Sequence, residues 1–167
     1  MNRELIKAII ILPGSALVFI PGAILWMCSR LSLATLPASP TEFRFYAGIF
    51  MAACGLTVAV WTVHLFLRVG KGTPAPWSPP KTLVVQGPYR YTRNPMITSV
   101  MWMIGAESLL ISSWPLAAWM LVFAIGNTIY IARVEEPALE KRFGESYRRY
   151  KANVPRWNNR MRPWHAP

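Results

Sequence analysis

The chain has 167 residues, which is enough for one compact domain and too few for two of ordinary size. Hydrophobic residues make up 53% of it and charged residues only 15%, against roughly 25% charged residues in soluble domains. This imbalance excludes an ordinary soluble protein and indicates the membrane. A formal charge of +11 is common among nucleic-acid-binding proteins, but here the basic residues flank apolar segments. Anionic lipids and membrane topology explain them more simply, and no nucleic acid partner is expected.

Four apolar segments predict four transmembrane helices, at about residues 8–28, 45–67, 96–112 and 114–132. The first segment is longer than the apolar core of a cleaved signal peptide, which is the alternative interpretation. Pro13 and Pro21 are expected to kink this helix. The apolar stretch 96–131 is too long for one span, and Ser112-Ser113-Trp114-Pro115 divides it into two.

Few residues within these segments suggest chemistry. Cys28 and Cys54 lie in apolar stretches without a CxxC motif or clustered histidines, so neither a disulfide framework nor a metal site is predicted. His64 lies near the end of the second segment and is expected to be interfacial rather than catalytic. Glu107 lies inside the third segment, where an ionisable group is costly and often functional. Because it is close to the hairpin, we favour a structural position at the far interface.

The distribution of basic residues predicts the topology. The loop from Arg68 to Arg93 has five basic residues and no acid, and the C-terminal tail is rich in arginine. The hairpin between the third and fourth segments has no basic residue. The positive-inside rule then places both termini and the Arg68–Arg93 loop in the cytoplasm. We expect a multi-pass protein in a single domain, located in the inner membrane if the source is bacterial.

The C-terminal tail opens with Glu135-Glu136-Pro137. Because Glu136 precedes a proline it should leave the helical region, so the fourth span should end there. Pro137 should then begin a new helix at about 137–153. Apolar and aromatic residues recur in it at spacings of four and three: Leu139, Phe143, Tyr147, Tyr150 and Val154. This pattern predicts an amphipathic interfacial helix that lies on the membrane surface or closes over the cytoplasmic end of the bundle.

A loop with two arginines and two tyrosines, Gly87–Met96, precedes the third span. Pro88 and Pro95 fix their own φ angles and push the residues before them out of the helical region, so the loop should be stiff. A rigid cationic loop at the mouth of a helix bundle indicates a site for a carboxylate or a phosphate. The alternative is a topological anchor whose arginines only face lipid phosphates.

Three elements can converge on the cytoplasmic face: the Gly70–Thr73 turn, the Gly87–Pro95 loop and the Glu135-Glu136 pair. The first two offer backbone amides and arginines to an anionic group. The carboxylates offer partners to an ammonium, a sulfonium or ribose hydroxyls. S-adenosylmethionine carries all of these groups.

Two motifs in the second half of the chain carry a resemblance: Gly87-Pro88-Tyr89-Arg90-Tyr91-Thr92-Arg93-Asn94-Pro95-Met96, and Glu135-Glu136-Pro137-Ala138-Leu139-Glu140-Lys141-Arg142-Phe143-Gly144-Glu145-Ser146-Tyr147-Arg148-Arg149-Tyr150 with Val154-Pro155-Arg156-Trp157 after it. The sequence resembles the isoprenylcysteine carboxyl methyltransferase and phospholipid methyltransferase family of integral membrane enzymes over roughly residues 60 to 160. The resemblance implies an all-α membrane domain that binds S-adenosylmethionine at its cytoplasmic end. It also implies that Gly70, Gly72 and the two glutamates are cofactor motifs.

The candidate cofactor-binding residues are Gly70, Gly72, Gly87, Pro88, Tyr89, Arg90, Tyr91, Arg93, Asn94, Pro95, Glu135, Glu136 and Tyr147. Arg93 is expected to hold the methyl acceptor or the cofactor carboxylate, and the glutamates to fix the donor. Arg93 and Glu135 are therefore the catalytic candidates. The sequence departs from the family at Ile97 and Ser99, and at Asn127-Thr128 where the family often has a histidine. These departures concern the acceptor pocket more than the cofactor site.

The sequence thus predicts a membrane methyltransferase that uses S-adenosylmethionine and acts on a lipophilic small molecule or lipid through a carboxylate, thiol or amine. One alternative is a membrane NADPH-dependent reductase, because sterol reductases share a similar C-terminal pattern. Another is a non-enzymatic four-helix scaffold whose basic tail binds lipid or a partner. Such a scaffold gives no reason for the two adjacent glutamates.

Overall fold

A computed structural model describes residues 3–33, 35–73, 75, 77, 79–157 and 160–165 of the chain. The predicted all-α class is confirmed, because the described residues form helices and loops without a β-strand. The α-helices are α1 Arg3–Gly14, α2 Ile20–Arg30, α3 Phe43–Arg68, α4 Pro95–Ile111, α5 Trp114–Tyr130, α6 Glu136–Phe143 and α7 Glu145–Asn153. Two π-helical segments, Ser15–Phe19 and Ile131–Glu135, and a 3₁₀ turn, Gly87–Arg90, complete the regular structure.

Three helical stretches in the described part of the chain are long and apolar enough to cross a membrane: Leu5–Arg30, Phe43–Arg68 and Trp114–Phe143. Helix α4 is equally apolar but has only 17 residues, or about 26 Å at the rise of an α-helix. The apolar segments therefore form helices at the predicted places. The count of four spans stays a prediction, because α4 is short against a hydrocarbon core of about 30 Å.

The predicted end of the fourth span at Glu136 is wrong. Glu136 has helical angles, φ −61° and ψ −45°, and the helix continues through Pro137 to Phe143. The π-helical segment Ile131–Glu135 immediately before it explains why. A π-helical turn changes the hydrogen-bond register, and such local adjustments let a helix accommodate a proline that lacks an amide hydrogen. The π-helical segment Ser15–Phe19 lies in the same way between Pro13 and Pro21 in the first long helix.

The single tail helix predicted over 137–153 is also wrong. Gly144 has a positive φ of 55° and separates α6 from α7. A glycine tolerates this conformation because it has no Cβ, and it commonly terminates a helix. The apolar residues of the tail nevertheless come together, since Leu139 and Phe143 pack against a buried cluster of Tyr147, Tyr150 and Val154. This face packs within the protein. The interfacial position of the tail stays a prediction.

The chain divides into two compact units. The first comprises residues 1–57 and 99–125. Its core consists of Ala16, Val100 and Ile104, with Trp119 and Phe123 packed against it. Trp119 also donates a hydrogen bond of 3.0 Å from Nε1 to the carbonyl of Ala16, which lies in the first π-helical segment.

The second unit comprises residues 58–98 and 126–167. Two apolar clusters stabilise it: one joins Leu65, Val84 and Tyr89, and the other joins Tyr147, Tyr150 and Val154. The hydroxyl of Tyr150 donates a buried hydrogen bond of 2.7 Å to the carbonyl of Tyr89, which links the two clusters. All candidate cofactor-binding residues lie in this unit.

Candidate functional site

The centre of the second unit is a buried carboxylate, Glu136, which is only 2% exposed. Three cations surround it. Oε1 of Glu136 lies 3.1 Å from Nη1 of Arg93 and accepts a hydrogen bond of 2.7 Å from Nε of Arg156, while Oε2 lies 3.2 Å from Nζ of Lys151. A carboxylate so deeply buried needs partners of this kind, because an unpaired buried charge is very costly. We refer to these four residues as the ionic cluster.

The loop that carries Arg93 is fixed by its own backbone. Gly87 has a positive φ of 54°, and Pro88 follows it in the first turn of the 3₁₀ segment. The side chain of Tyr89 is buried against Leu65 and Val84. The loop therefore has a defined turn, with a glycine at the position that has a left-handed conformation. Its stiffness stays a prediction.

Arg93 has unused hydrogen-bonding capacity. Its side chain is 10% exposed, and its Nε and Nη1 are buried without a hydrogen-bond partner in the described part of the chain. Nη1 is close enough to Glu136 for an ion pair but is not aligned for a hydrogen bond. Arg93 also hydrogen-bonds the hydroxyl of Tyr147, although burial dominates at that phenol and raises its pKa. Buried donors without partners are rare in folded proteins and indicate a position where a ligand can bind.

The neighbouring carboxylate, Glu135, differs sharply from Glu136. It is half-buried, and the described residues give it neither a hydrogen bond nor an ion pair. It lies close enough to Tyr89 and Tyr147 for its charge to add to the effect of burial, which raises the pKa of both phenols. The two adjacent acids therefore have separate environments: Glu136 is paired with three cations, and Glu135 is half-buried without such a pair among the described residues.

The Gly70–Thr73 turn follows α3 directly. The amides of Gly70 and Gly72 donate to the carbonyls of Leu65 and Phe66, at 3.1 and 3.3 Å, so they cap the helix. A Cβ on Gly72 would lie 2.7 Å from both the carbonyl oxygen of Pro79 and the Cα of Pro80. The close approach of two backbone segments accounts for this glycine, and its amide is not free to bind an anion.

The remaining candidates of the loop have various surroundings. Arg90 donates from Nε to the carbonyl of Trp164 at 3.0 Å and also contacts the ring of His165. Asn94 donates from Nδ2 to the carbonyl of Arg156 at 3.2 Å. Tyr91 is exposed, Pro95 is buried at the start of α4, and Pro88 is half-buried. Within this loop, Arg93 thus has the buried, unsatisfied donors that a ligand site requires.

Lys151 and Arg156 are functional candidates that sequence reasoning missed. Both lie among many basic residues of the tail, and their spacing to Glu136 does not follow a helical period. The hydrogen bond to Glu136 raises the pKa of Arg156, and hydrogen bonds to Glu140 and Glu136 raise the pKa of Lys151. The only sequence signal was the Val154-Pro155-Arg156-Trp157 motif that closes the family pattern.

The first unit has its own polar and open features. Oε2 of Glu107 and Oγ of Ser113 are buried without a hydrogen-bond partner in the described residues. A separate apolar cavity of about 230 Å³ is lined by Met51, Gly105, Ser108, Leu109, Ala117 and Met120. Neither feature belongs to the ionic cluster.

The membrane-length apolar helices and the buried ionic cluster define the protein as a helical integral membrane protein with a polar site. A family model described as phospholipid methyltransferase matches residues 43–146, which is more than half of the chain. The chain belongs to the phospholipid methyltransferase family, and the resemblance found in the sequence is confirmed. It is therefore an integral membrane methyltransferase, and the reductase and scaffold alternatives are not favoured. Comparison with curated proteins and with solved structures finds no match.

Proposed function

We propose that the protein transfers a methyl group from S-adenosylmethionine to a lipophilic acceptor, and that Arg93 and Glu135 bind the reacting molecules. The observation that carries this proposal is the contrast between the two acids. Glu136 is neutralised by Arg93, Lys151 and Arg156, whereas Glu135 has neither an ion pair nor a hydrogen bond with the residues that the structure describes. Because three cations already neutralise Glu136, we assign it the role of holding Arg93 in position. Glu135 is then the carboxylate that binds the methyl donor.

The free groups fit the chemistry of the proposed donor. Nε and Nη1 of Arg93 have no hydrogen-bond partner among the described residues, so each can donate a charge-assisted hydrogen bond to an anionic oxygen such as that of a carboxylate. The carboxylate of Glu135 is suited to an ammonium or to ribose hydroxyls. Gly70 and Gly72 would contribute shape rather than amide donors, because their amides cap α3. Tyr89, Tyr91 and Tyr147 supply aromatic surface nearby, and the loop residues Gly87, Pro88, Arg90, Asn94 and Pro95 hold Arg93 in place.

The site can support methyl transfer by positioning and by limiting water. When bound, S-adenosylmethionine supplies a methyl group activated by a sulfonium. In-line displacement at that carbon requires a nucleophile at about 3–3.5 Å and a dry pocket. Tyr89 and Tyr147 are buried and near enough to Glu135 for its charge to act on their phenols, which supports a pocket that limits water. Arg93, held by Glu136, orients an anionic group of either the donor or the acceptor.

The acceptor is expected to reach the site from the membrane, since the family name denotes enzymes that act on phospholipids. A phospholipid amine fits that description, and a carboxylate or a thiol on a lipophilic carrier fits the same geometry. In the proposed topology four spans place both termini and the 87–95 loop in the cytoplasm. The excess of basic residues in that loop and in the tail supports this orientation.

The direct test is transfer of a labelled methyl group from S-adenosylmethionine to extracted lipids by the full-length protein in nanodiscs. We expect a labelled lipophilic product, and we expect Arg93→Gln and Glu135→Gln to lower kcat/KM on the order of 100-fold or more. Glu145→Gln serves as the matched control, because Glu145 is exposed and forms a surface ion pair with Arg148 at 3.4 Å. Equal activity of all these variants would contradict the proposal.

A further inference from the structure

The chain beyond α7 runs along the loop that carries Arg93. We call its described residues, 154–157 and 160–165, the C-terminal strap. Three backbone hydrogen bonds join the strap to the loop: Arg93 to Pro155 at 2.9 Å, Arg160 to Tyr91 at 3.0 Å and Trp164 to Arg90 at 3.0 Å. The indole of Trp164 packs at 5.8 Å from the ring of Tyr150. The strap is therefore an ordered part of the second unit.

The strap also meets the loop through the carbonyl of Arg156. Oγ1 of Thr92 and Nδ2 of Asn94 both donate to this oxygen, at 3.0 and 3.2 Å. Residues on either side of Arg93 are thus tied to the backbone of Arg156. None of these contacts involves the Arg156 side chain, so the strap can keep its path when that side chain is replaced.

The Arg156 side chain meets Glu136 at the same oxygen as Arg93 does. Oε1 of Glu136 accepts a hydrogen bond of 2.7 Å from Nε of Arg156 and lies 3.1 Å from Nη1 of Arg93. Arg156 makes the aligned hydrogen bond to this oxygen and so helps to fix its position. Arg93 is paired with the same oxygen and hydrogen-bonds the hydroxyl of Tyr147, while its Nε and Nη1 have no hydrogen-bond partner among the described residues.

We propose that Arg156 is a positioning residue for methyl transfer, which acts through Glu136 to hold the Arg93 guanidinium in its ligand-binding orientation. This proposal rests on the proposed function, because it assumes that Arg93 binds a reacting molecule. It adds to the site a residue outside the segment, 43–146, that the family model matches. The C-terminal strap is then a required part of the active site rather than an appended tail.

The test compares Arg156→Gln and Arg156→Lys with Glu136→Gln, the double variant Glu136→Gln/Arg156→Gln and Arg93→Lys, all full-length in nanodiscs. Arg148→Gln is the matched control, since it removes the same charge from an exposed position on α7. The measurements are kcat and KM for donor and acceptor separately, with folding checked by thermal unfolding. We expect Arg156→Gln to lower kcat/KM on the order of 10- to 100-fold, because a small displacement of a positioning group has effects of this size.

Three further results are expected if Arg156 acts through Glu136. Arg156→Lys recovers most of the loss, since an ammonium can also bond the carboxylate. In the Glu136→Gln background, Arg156→Gln changes kcat/KM by less than about twofold, because the carboxylate through which Arg156 acts on Arg93 is already absent. The parameter that moves, donor KM or acceptor KM, is the one that Arg93→Lys also moves.

Three results would overturn the inference. One is full activity of Arg156→Gln while Arg93→Gln and Glu135→Gln are inactive, which leaves the proposed function intact. Another is a loss of stability with unchanged activity per folded molecule, which assigns Arg156 a structural role alone. Full activity of all these variants refutes the proposed function together with the inference.

Discussion

Replacing Glu136 with Gln should destabilise the protein far more than the same change at Glu140. Both glutamates contact Lys151, with Nζ at 3.2 Å from Glu136 and 2.6 Å from Glu140. They differ in burial, since the side chain of Glu136 is 3% exposed and that of Glu140 is 35% exposed. The comparison therefore separates a buried ionic interaction from a surface one with a shared partner.

The expected loss of unfolding free energy in Glu136→Gln follows from the charged partners that remain. Gln fills the same volume, so no cavity forms, but Arg93 and Arg156 lose the anion that compensates them. Removing one member of a buried charge cluster typically costs about 3–5 kcal/mol. A solvent-exposed pair contributes at most about 1 kcal/mol. The difference of at least about 2 kcal/mol corresponds to a change of more than tenfold in the unfolding equilibrium.

The assay is equilibrium unfolding in mixed micelles with increasing mole fraction of sodium dodecyl sulfate, followed by tryptophan fluorescence. Trp164 packs on Tyr150 in the second unit and reports on this region. We expect the Glu136→Gln midpoint to fall clearly below those of the wild type and Glu140→Gln. If the two variants unfold at the same midpoint, Glu136 is solvated in the protein and the ionic cluster is not a buried, stabilising interaction.

Two further predictions concern stability. Burial raises the pKa of Tyr89 and Tyr150, so the folded chain keeps phenolic protons that the unfolded chain releases near pH 10.0. Ionisation of these two groups should therefore leave the free energy of unfolding unchanged below pH 10. Above pH 10 the free energy of unfolding should fall as pH rises. Thermal unfolding from pH 8 to 11 should show this fall, and it should be smaller in Tyr150→Phe; a flat profile would contradict the burial of both phenols. Gly72→Ala should cost about 1–3 kcal/mol because its Cβ would meet the 79–80 backbone. Gly126→Ala, which has open space around its Cβ, should change stability by no more than about 1 kcal/mol in the same unfolding assay, and equal losses would refute this packing.

The positions of the long helices could be predicted because they depend on local composition. Apolar runs bounded by charges and turn residues gave segments whose ends lie within two residues of those of α3, α4 and α5. The non-helical break before α4 was likewise predictable from Pro88 and Pro95. These features require only a nearest-neighbour preference or a continuous run of one residue type.

The errors arise where the local rule is overridden. A proline normally ends the helix before it, but the π-helical segment Ile131–Glu135 absorbs the missing hydrogen bond of Pro137. Gly144 interrupts a periodic apolar pattern, and the pattern alone concealed the break. A search for glycine within the predicted tail helix would have identified this position.

The site was predicted only in part, because its partners are distant in sequence. The convergence of the Arg93 loop with the Glu135-Glu136 pair was expected from the sequence, and the structure brings Nη1 of Arg93 within 3.1 Å of Oε1 of Glu136. The different surroundings of the two acids were not predictable, since adjacent residues of one type look identical in sequence. Arg156, 20 residues after Glu136, could be assigned only from three-dimensional contacts.

The central claim is that Glu135 holds the methyl donor while Glu136 maintains the site. The most direct measurement is the affinity of S-adenosylmethionine for wild type, Glu135→Gln and Glu140→Gln in nanodiscs, by isothermal titration calorimetry, with unfolding measured in parallel. We expect Glu135→Gln to weaken binding by at least about tenfold, as for loss of a hydrogen bond to a charged group. This variant should keep the stability of the wild type, and Glu140→Gln should bind as the wild type does. Unchanged donor affinity in Glu135→Gln would contradict the claim.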